Sequence, residues 1–263
     1  SDKKLSVFKR WIKQPYGMVI ISGPTGSGKS TTLYAALKEI HSEGINITTV
    51  EDPVEYQLEG INQVQMHDDI GLNFSGALRS ILRQDPDVLL IGEIRDQETA
   101  DIAVKFSLTG HLVFSTVHAN DAPSTIARLL DLGIPPFLLG SCLNLVMAQR
   151  LVRTIDKDSN ETYKPTDDEL NRLSFPKDKR NGAFFKGVPN QGNHNTGYKG
   201  RTAIHEILEV NSAMKQLIFE DANQNQIKEA AKKAGMTTLR EAGIEKIING
   251  KTDINEVLRA TVE

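Results

Sequence analysis

The amino-acid sequence predicts an α/β fold with a mostly parallel sheet, followed by a smaller helical C-terminal subdomain. Short apolar runs rich in β-branched residues alternate with amphipathic stretches of helical spacing. The first of these runs leads directly into a glycine-rich loop and then into a helical stretch. Strands that alternate with helices run parallel through crossover connections, so we expect both faces of the sheet to be covered.

Four apolar runs predict the strands of this sheet, in chain order. "GMVIIS" at 17–22 is bounded by glycine, and "NITTVED", "DVLLIGEI" and "HLVFSTVH" follow at 46–52, 87–94 and 111–118. Each run is short and β-branched, which is typical of a buried strand. These four runs form the predicted centre of the sheet.

Helices are predicted between these strands. The stretch "STTLYAALKEIHSEG" places Leu33, Ala36, Leu37 and Ile40 on one side of a helix, and Gly44 is suited to end it. Two further helical stretches, "FSGALRSILRQ" and "QETADIAVKFSLTG", precede and follow the third strand. The order of elements is therefore strand, loop, helix and then repeated alternation.

Other regions depart from this alternation. "VEYQLEGINQVQM" at 54–66 predicts a hairpin excursion, and residues 122–151 have a helical pattern. Residues 154–200 are polar and rich in turn formers, which predicts a peripheral insertion, and short amphipathic helices follow "RTAIHEILEV". The predicted domains are residues 1–153, 154–200 and 201–263.

Composition and charge narrow the class of protein. Lys and Arg total 31 against 34 Asp and Glu, so the net charge of -3 provides no general attraction for nucleic acid. Cys142 is the single cysteine, which excludes an internal disulfide, and its apolar neighbours predict a core position. No uninterrupted apolar run reaches the roughly 20 residues of a membrane-spanning helix, so no transmembrane segment is predicted.

The stretch "GPTGSGKST" matches the phosphate-loop pattern G-x-x-x-x-G-K-[ST] in full. Its glycines let backbone N–H groups turn inward around phosphates, at the positive end of the following helix. Lys29 is expected to contact the β- and γ-phosphates of ATP, and Ser30 to hold Mg²⁺ through its hydroxyl. The predicted nucleotide-binding residues are Gly23, Pro24, Thr25, Gly26, Ser27, Gly28, Lys29, Ser30 and Thr31.

Acidic and histidine side chains follow the strands at the edge where parallel sheets bind ligands. "DVLLIGEIRD" is an apolar strand ending in Glu93, the Walker B pattern, and such a carboxylate can order the metal or orient the attacking water. "TVEDPVEY" ends another strand with Glu51, Asp52 and Glu55, of which Glu55 is the predicted functional acid. His118 ends "HLVFSTVH" and is expected to sense the γ-phosphate or to link the site to a neighbouring subunit. The predicted catalytic residues are Glu55, Glu93 and His118.

Four segments in this order resemble the secretion ATPase superfamily, and within it the type II secretion and type IV pilus assembly ATPases: "GPTGSGKSTTLYAAL", "TVEDPVEY", "LRSILRQDPDVLLIGEIRD" and "GHLVFSTVHANDAPSTIARLLDLGI". The similarity is dense over residues 15–153 and resumes at "TGYKGRTAIHEILEV". It implies a RecA-like P-loop NTPase core in which Glu55 orients the attacking water and Glu93 lies near Mg²⁺, and it does not decide which of the two is the general base. The implied motifs are Walker A at 23–31, the Asp box at 49–55, Walker B at 87–96 and the His box at 111–118.

The resemblance also implies a function and partners. Its members are motor ATPases that hydrolyse ATP with Mg²⁺ as homo-hexamers and act on an inner-membrane platform protein to drive pilus or pseudopilus growth. It implies a cytoplasmic location, peripheral to the inner membrane through partners. The family has a further N-terminal domain, and since this chain starts at Ser1 without Met we expect it to be part of a longer protein. Arg79, Arg83 and Arg95 are expected either to stabilise the structure or to reach the phosphate of a neighbouring subunit, and none is singled out as an arginine finger.

One departure from the superfamily concerns zinc. In many members a CxxC pair follows "QRLVR" and a second precedes "TGYxGR", and the four thiolates hold a structural zinc. The corresponding positions here are Asp156, Ser159, Asn190 and Asn193, with His194 nearby. A Cys₄ site needs all four soft ligands, and one imidazole beside amides and a hydroxyl is a poor substitute. No structural zinc is therefore expected.

Two alternative functions stay open at this point. One is a nucleotide-gated binding or regulatory module without turnover, against which the paired acids Glu55 and Glu93 argue. The other is a RecA-like nucleic-acid translocase, against which the net charge and the aromatic content of 6% argue. The sequence leaves pilus and secretion systems undistinguished, although "TGYKGRTAIHEILEV" favours extension or secretion over retraction.

Overall fold

The structure is a computed structural model that describes residues 2–67, 69 and 71–261. Within that part of the chain, residues up to 148 and residues 207–236 form one compact unit, called unit 1. Residues 149–206 and those from 237 onward form a second, called unit 2. The three segments proposed from the sequence remain predictions as domain boundaries.

The bounds of the strands and helices follow the alternation expected for an α/β protein. The strands are β1 (Gly17–Ser22), β2 (Ile47–Glu51), β3 (Asn62–Gln65), β4 (Val88–Ile91), β5 (Leu112–Val117), β6 (Leu143–Ile155), β7 (Asn160–Tyr163), β8 (Phe184–Gly187) and β9 (Tyr198–Glu209). The helices are α1 (Asp2–Ile12), α2 (Lys29–Ile40), α3 (Phe74–Ile81), α4 (Gln97–Leu108), α5 (Ala122–Asp131), α6 (Pro136–Cys142), α7 (Asp167–Arg172), α8 (Ser212–Phe219), α9 (Gln224–Lys233), α10 (Leu239–Ile248) and α11 (Ile254–Ala260).

The main sheet has the strand order β3-β2-β4-β5-β1-β6-β9. β1 pairs in parallel with β5 and β6, β4 pairs in parallel with β5 and β2, and β2 pairs in parallel with β3. The predicted α/β class with a mostly parallel sheet is confirmed. Strand order differs from chain order, so segments far apart in sequence become neighbours at the edge where these strands end.

Burial explains why the central strands are almost entirely apolar. Every residue of β1, β2, β4 and β5 is buried, which is the pattern of a parallel sheet covered on both faces. On one face Leu33 and Leu37 of α2 pack in a core cluster with Val19 and Ile21 of β1. These two leucines are four residues apart, as the predicted helical spacing requires.

The predicted helical pattern over 122–151 is correct only in its first part. α5 and α6 occupy its beginning, and the chain then continues as β6 from Leu143. Val146 of β6 pairs in parallel with Ile20 of β1. A strand buried on both faces has no alternation to distinguish it from a buried helix, so the periodicity was misleading there.

The predicted hairpin at 54–66 is wrong. β3 lies at the edge of the sheet and pairs in parallel with β2, with Thr49 opposite Gln63. Parallel neighbours need a crossover connection rather than a tight turn, and residues 52–61 supply it. The side chain of Gln63 helps to hold this connection because its Oε1 accepts a hydrogen bond from the N–H of Leu58, at 2.6 Å.

The polar stretch 154–200 has its own packed structure within unit 2. β7 and β8 form an antiparallel pair, and α7 begins at a capping box made by Thr166 and Glu169. Leu170, Leu173 and Phe184 share a core cluster with residues of α10 and α11. The expected short helices after β9 are confirmed as α8 to α11. No helix in the described part of the chain is long and apolar enough to cross a membrane.

Candidate functional site

Four parallel strands of unit 1 end side by side, and the predicted site residues follow these ends. Ser22 at the end of β1 is opposite Val117 at the end of β5, and Ile91 at the end of β4 is opposite Ser115. The next residues along the chain are the phosphate loop after β1, Glu93 after β4 and His118 after β5. The sheet therefore brings the separate sequence motifs to one edge.

The phosphate loop, residues 23–31, has the backbone that its glycines predict. Gly23, Gly26 and Gly28 have φ of 152°, 76° and 85°. L-residues with a side chain rarely adopt such values, so glycine is needed for the loop to turn its N–H groups inward. Gly28 is the N-cap of α2, so the loop ends at the positive end of a helix. This geometry favours a bound phosphate.

Lys29 lies at this loop. Its Nζ donates hydrogen bonds to the carbonyl oxygens of Gly23, at 2.8 Å, and Pro24, at 3.1 Å. The ammonium group thus stays beside the backbone amides at the start of α2. Ser30, the next residue, is half-buried in the first turn of α2. The ammonium group of Lys29 and the hydroxyl of Ser30 are thus both positioned by the first turn of α2.

The segment that carries Glu93 is held between two neighbouring strands. The N–H of Gly92 donates to the carbonyl of Val50 at 2.8 Å, and the Thr116 hydroxyl donates to the carbonyl of Gly92 at 2.6 Å. The N–H of Ile94 in turn donates to the carbonyl of Thr116 at 3.0 Å. Because both flanking residues are fixed, the Glu93 side chain has a defined position at the strand ends.

Glu93 forms a charged cluster with His118 and Arg95. Nε2 of His118 lies 3.1 Å from Oε1 of Glu93, and Nε of Arg95 donates to Oε2 of Glu93 at 2.7 Å. The Glu93 side chain is 14% exposed, against 50% for His118 and 60% for Arg95. The acid is therefore fixed from both oxygens, while its partners face solvent. We call these three residues the Glu93 cluster.

The contact with Glu93 distinguishes Arg95, two residues after the Walker B acid, from the other two candidate arginines Arg79 and Arg83. Asp96, by contrast, has a local structural role, since its carboxylate accepts a hydrogen bond from the N–H of Thr99 at 2.8 Å and caps α4. The acids of the Walker B segment thus divide into one that faces the strand ends and one that starts a helix.

Glu55 is connected through its main chain to α2, the helix that follows the phosphate loop. Its side chain is exposed, and its N–H donates to the hydroxyl of Tyr34 on α2, at 3.3 Å. The same hydroxyl donates to the carboxylate of Glu51, which is 4% exposed. The structure thus joins Glu93 to His118 directly, and ties Glu55 through its main chain to the helix that begins at Lys29. Sequence reasoning gave Tyr34 no role, because it lies in an ordinary helical pattern.

A different cluster lies in unit 2, at the four positions where the resemblance implies zinc cysteines in many superfamily members. The amide of Asn193 donates to Oδ2 of Asp156 at 3.1 Å and to the carbonyl of Val188 at 2.9 Å. Its oxygen accepts from the N–H groups of Asn190, at 2.9 Å, and Gly197, at 3.1 Å. We call this the Asn193 network.

These groups do not fit zinc. They are amide, carboxylate and hydroxyl groups rather than thiolates, and hydrogen bonds already engage Asp156 and Asn193, which are 4% and 1% exposed. The Ser159 hydroxyl is likewise engaged, donating to the carbonyl of Val188 at 2.8 Å. Among the described residues, no group of three or more His, Cys, Asp or Glu side chains could hold a metal ion. Hydrogen bonds therefore join this stretch at the positions where the resemblance implies zinc cysteines in many superfamily members.

A phosphate loop between a central strand and a helix, with an acid and a histidine at the adjacent strand ends, defines the P-loop NTPase class. The chain belongs to the family described as type II/IV secretion system protein, whose model matches residues 1–259. The family resemblance seen in the motifs is thus confirmed over nearly the whole chain.

Curated relatives agree with this assignment. The type IV pilus assembly ATPase PilB of Myxococcus xanthus is 49% identical over 260 residues, which cover 98% of this chain and 46% of that protein. The type II secretion system ATPase E of Vibrio cholerae is 47% identical over 256 residues, which cover 97% of this chain and 50% of that protein. The chain thus spans about half the length of these relatives.

Solved structures share the fold. The crystal structure of the pilus retraction motor PilT with bound ADP matches with a TM-score of 0.73 and 28% identity, covering 100% of this chain and 65% of that one. The ATPase DotB of Legionella pneumophila matches with a TM-score of 0.68 at 23% identity, covering 98% of this chain and 62% of that one, and shows the fold alone. The predicted P-loop NTPase fold is confirmed.

Proposed function

We propose that the chain is the ATPase core of a motor that couples ATP hydrolysis to assembly of a type IV pilus or a type II secretion pseudopilus. One observation carries this proposal: the phosphate loop and the Glu93 cluster lie at the ends of adjacent strands. The process that the motor would drive is inferred from the relatives, which are named as pilus assembly and secretion ATPases. A fixed arrangement of charges around a bound nucleotide is what phosphoryl transfer requires of a protein.

The roles of the phosphate loop follow from its geometry. The backbone N–H groups of residues 25–31, at the start of α2, bind the phosphates, and Lys29 moves from the loop carbonyls to the β- and γ-phosphate oxygens. The hydroxyl of Ser30 and the carboxylate of Glu93 are oxygen donors of the kind that Mg²⁺ prefers, so these residues would hold the ion. When bound, Mg²⁺ neutralises charge on the phosphates.

The two acids have different surroundings, which favours different roles for them. Arg95 and His118 each contact one carboxylate oxygen of Glu93, which holds the carboxylate in a defined position. Because His118 contacts Glu93, a change at the γ-phosphate would reach both residues together. Glu55 is exposed, and its main chain is tied to α2. We therefore assign to Glu55 the role of orienting the attacking water, to Glu93 that of holding Mg²⁺, and to His118 that of sensing the γ-phosphate.

The assembly and its location are proposed on the family relationship. We propose that six copies of the ATPase form a ring at the cytoplasmic side of the inner membrane and act there on a platform protein. Half-exposed Arg95 and His118 are positioned to respond to a neighbouring copy. Motion then arises because ATP and ADP states differ in their contacts at this edge.

ATP turnover per chain, measured over a wide range of protein concentration with Mg²⁺, tests the proposal. We expect activity to rise steeply with concentration, to fall below detection in Lys29→Ala and to fall about 100- to 1,000-fold in Glu93→Gln. Tight ATP binding without turnover at any concentration would instead support a nucleotide-gated module. Stimulation of turnover by DNA would support a translocase.

A further inference from the structure

The buried acid Glu51 at the end of β2 has no part in the roles proposed above. It is 4% exposed, and its carboxylate accepts hydrogen bonds from three side chains. The donors are the hydroxyl of Tyr34, the hydroxyl of Thr49 at 2.6 Å and the amide of Gln63 at 3.3 Å. A buried carboxylate is strongly unfavourable unless it is hydrogen-bonded, so this cluster is a built polar site within an otherwise apolar core.

Tyr34 is the residue that connects this cluster to the nucleotide site. It lies on α2, five residues after Lys29, and is 1% exposed. While its hydroxyl donates to Glu51, the same oxygen accepts from the N–H of Glu55 at 3.3 Å and from the amide of Gln63 at 3.4 Å. One phenol oxygen thus joins the phosphate-loop helix, the end of β2 and the segment that carries Glu55.

The ring of Tyr34 adds a second contact to the same segment. It packs edge-on against the ring of Tyr56, with centroids 4.8 Å apart. Burial, and then the hydrogen bond to Glu51, raise the pKa of the Tyr34 phenol, so the hydroxyl keeps its proton and remains a donor. Phenylalanine would satisfy the packing alone, so the hydroxyl serves the polar connection.

We propose that Tyr34 and Glu51 are positioning residues for Glu55: they hold the main chain of Glu55 at a set place relative to the helix that begins at Lys29. A shift of the phosphate loop moves α2 and, through the Tyr34 hydroxyl, moves Glu55 with it. This inference rests on the proposed ATPase function. It adds residues that touch neither phosphate nor metal.

The first test is the kinetics of Tyr34→Phe, which removes the hydroxyl and keeps the ring against Tyr56. We expect kcat to fall about 10-fold while KM for ATP stays within about two-fold. Glu51→Gln, which removes the charge and keeps the size, should lower kcat in the same direction. Tyr198→Phe is the matched control, because the Tyr198 hydroxyl also donates to a carboxylate, that of Asp253, within unit 2. Its kcat should equal that of the unchanged chain.

The second test asks whether Tyr34 acts through Glu55. In a Glu55→Gln background, Tyr34→Phe should cause no further loss of kcat, because the group that it positions is already disabled. Amide hydrogen exchange of a peptide covering residues 52–57 should be faster in Tyr34→Phe, since the N–H of Glu55 loses its acceptor. This readout does not depend on turnover.

The outcomes separate the two proposals. The positioning role would be overturned if Tyr34→Phe had the kcat of the unchanged chain, if it raised KM alone, or if the losses of kcat were additive in the double variant. Each of these results would leave the ATPase function intact. Unchanged exchange at residues 52–57 would overturn it as well. If the unchanged chain shows no turnover at any concentration, the proposed function fails and the positioning role fails with it.

Discussion

The Glu93 cluster and the Asn193 network are both groups of polar side chains, but they differ in what surrounds them. In the Glu93 cluster the acid is 14% exposed and its partners Arg95 and His118 are at least half exposed. In the Asn193 network, Asn193 and Asp156 are 1% and 4% exposed, and protein groups already satisfy them. The first arrangement can face a ligand, whereas the second holds the chain together.

The comparison shows what separates a reactive site from a structural one. The difference lies in the exposure of the side chains and in whether hydrogen bonds within the chain already satisfy them, rather than in residue type. Both clusters contain acids and neutral or cationic donors. A buried group whose hydrogen bonds are all made within the chain gains little from a ligand, and removing it leaves its partners unsatisfied. Substitutions in the two clusters should therefore affect different measured quantities.

The largest expected effect is on turnover. Glu93→Gln should lower kcat about 100- to 1,000-fold and change the nucleotide Kd by less than about three-fold, because the charge it removes acts mainly in the transition state. Glu59→Gln makes the same acid-to-amide change at an exposed residue and should have no effect. Steady-state kinetics and nucleotide titration measure both. Unchanged turnover in Glu93→Gln would contradict the assignment of the Glu93 cluster as the reactive site and leave it no different in function from the Asn193 network.

The next effect is on stability. Asn193→Ala should reduce the free energy of unfolding by about 2–3 kcal/mol, since it leaves the buried Asp156 carboxylate and the Val188 carbonyl without their amide donor. Gln191→Ala, at an exposed neighbouring residue, is the control and should change it by less than about 0.5 kcal/mol. Thermal unfolding followed by circular dichroism gives the difference. An Asn193→Ala protein as stable as the control would contradict a structural role for the network.

A third prediction concerns a buried charge in unit 2. Burial opposes ionisation of Glu256, but hydrogen bonds from Arg259 and Arg153 outweigh it and lower the pKa of Glu256 to about 2. Because the folded pKa lies below the unfolded one, the ionised carboxylate stabilises the fold above about pH 4.5. That contribution is lost as the pH falls towards 2.

Glu256→Gln tests this pH dependence. At pH 7 it should lower the free energy of unfolding by about 2 kcal/mol, and its deficit should shrink steadily between about pH 5 and pH 2. Denaturant unfolding of both proteins across this range is the measurement, with Glu245→Gln on exposed α10 surface as the control. A deficit that is constant with pH would show that the ionised form has no special stabilisation.

The smallest expected effect is that of a chelator. Because hydrogen bonds replace thiolates in the Asn193 network, EDTA or added Zn²⁺ should shift Tm by less than about 1 °C. Elemental analysis of the purified protein should find far less than one zinc per chain. Stoichiometric zinc, or a large drop of Tm in EDTA, would overturn the structural account of this region.

Much of the site could be predicted from sequence because its motifs are local. The phosphate loop needs glycine at Gly23, Gly26 and Gly28, and its strand and helix are adjacent in the chain, so a short window contains the whole motif. Glu93 and His118 were recognisable as acids and histidines after apolar runs. Their mutual contact was not, because it depends on β4 and β5 being neighbours.

The errors have the same origin. β6 has the apolar pattern of a buried helix because both faces of its first half are buried, and only its pairing with β1 identifies it as a strand. β3 follows β2 closely in sequence, as the second arm of a hairpin would, but it pairs in parallel across a crossover connection. The helical pattern around Tyr34 contains no indication that its hydroxyl contacts the Glu51 carboxylate.

Local pattern was thus sufficient for the phosphate loop, the class of fold and the loss of the zinc ligands, since each depends on residue types at fixed short spacings. Packing was needed for the Glu93 cluster, for the connection from Tyr34 to Glu55 and for the Asn193 network. These contacts join residues that the strand order and the burial of whole elements bring together. A local sequence pattern contains neither the strand order nor the burial of whole elements, because the free energy that selects both comes from the assembled core.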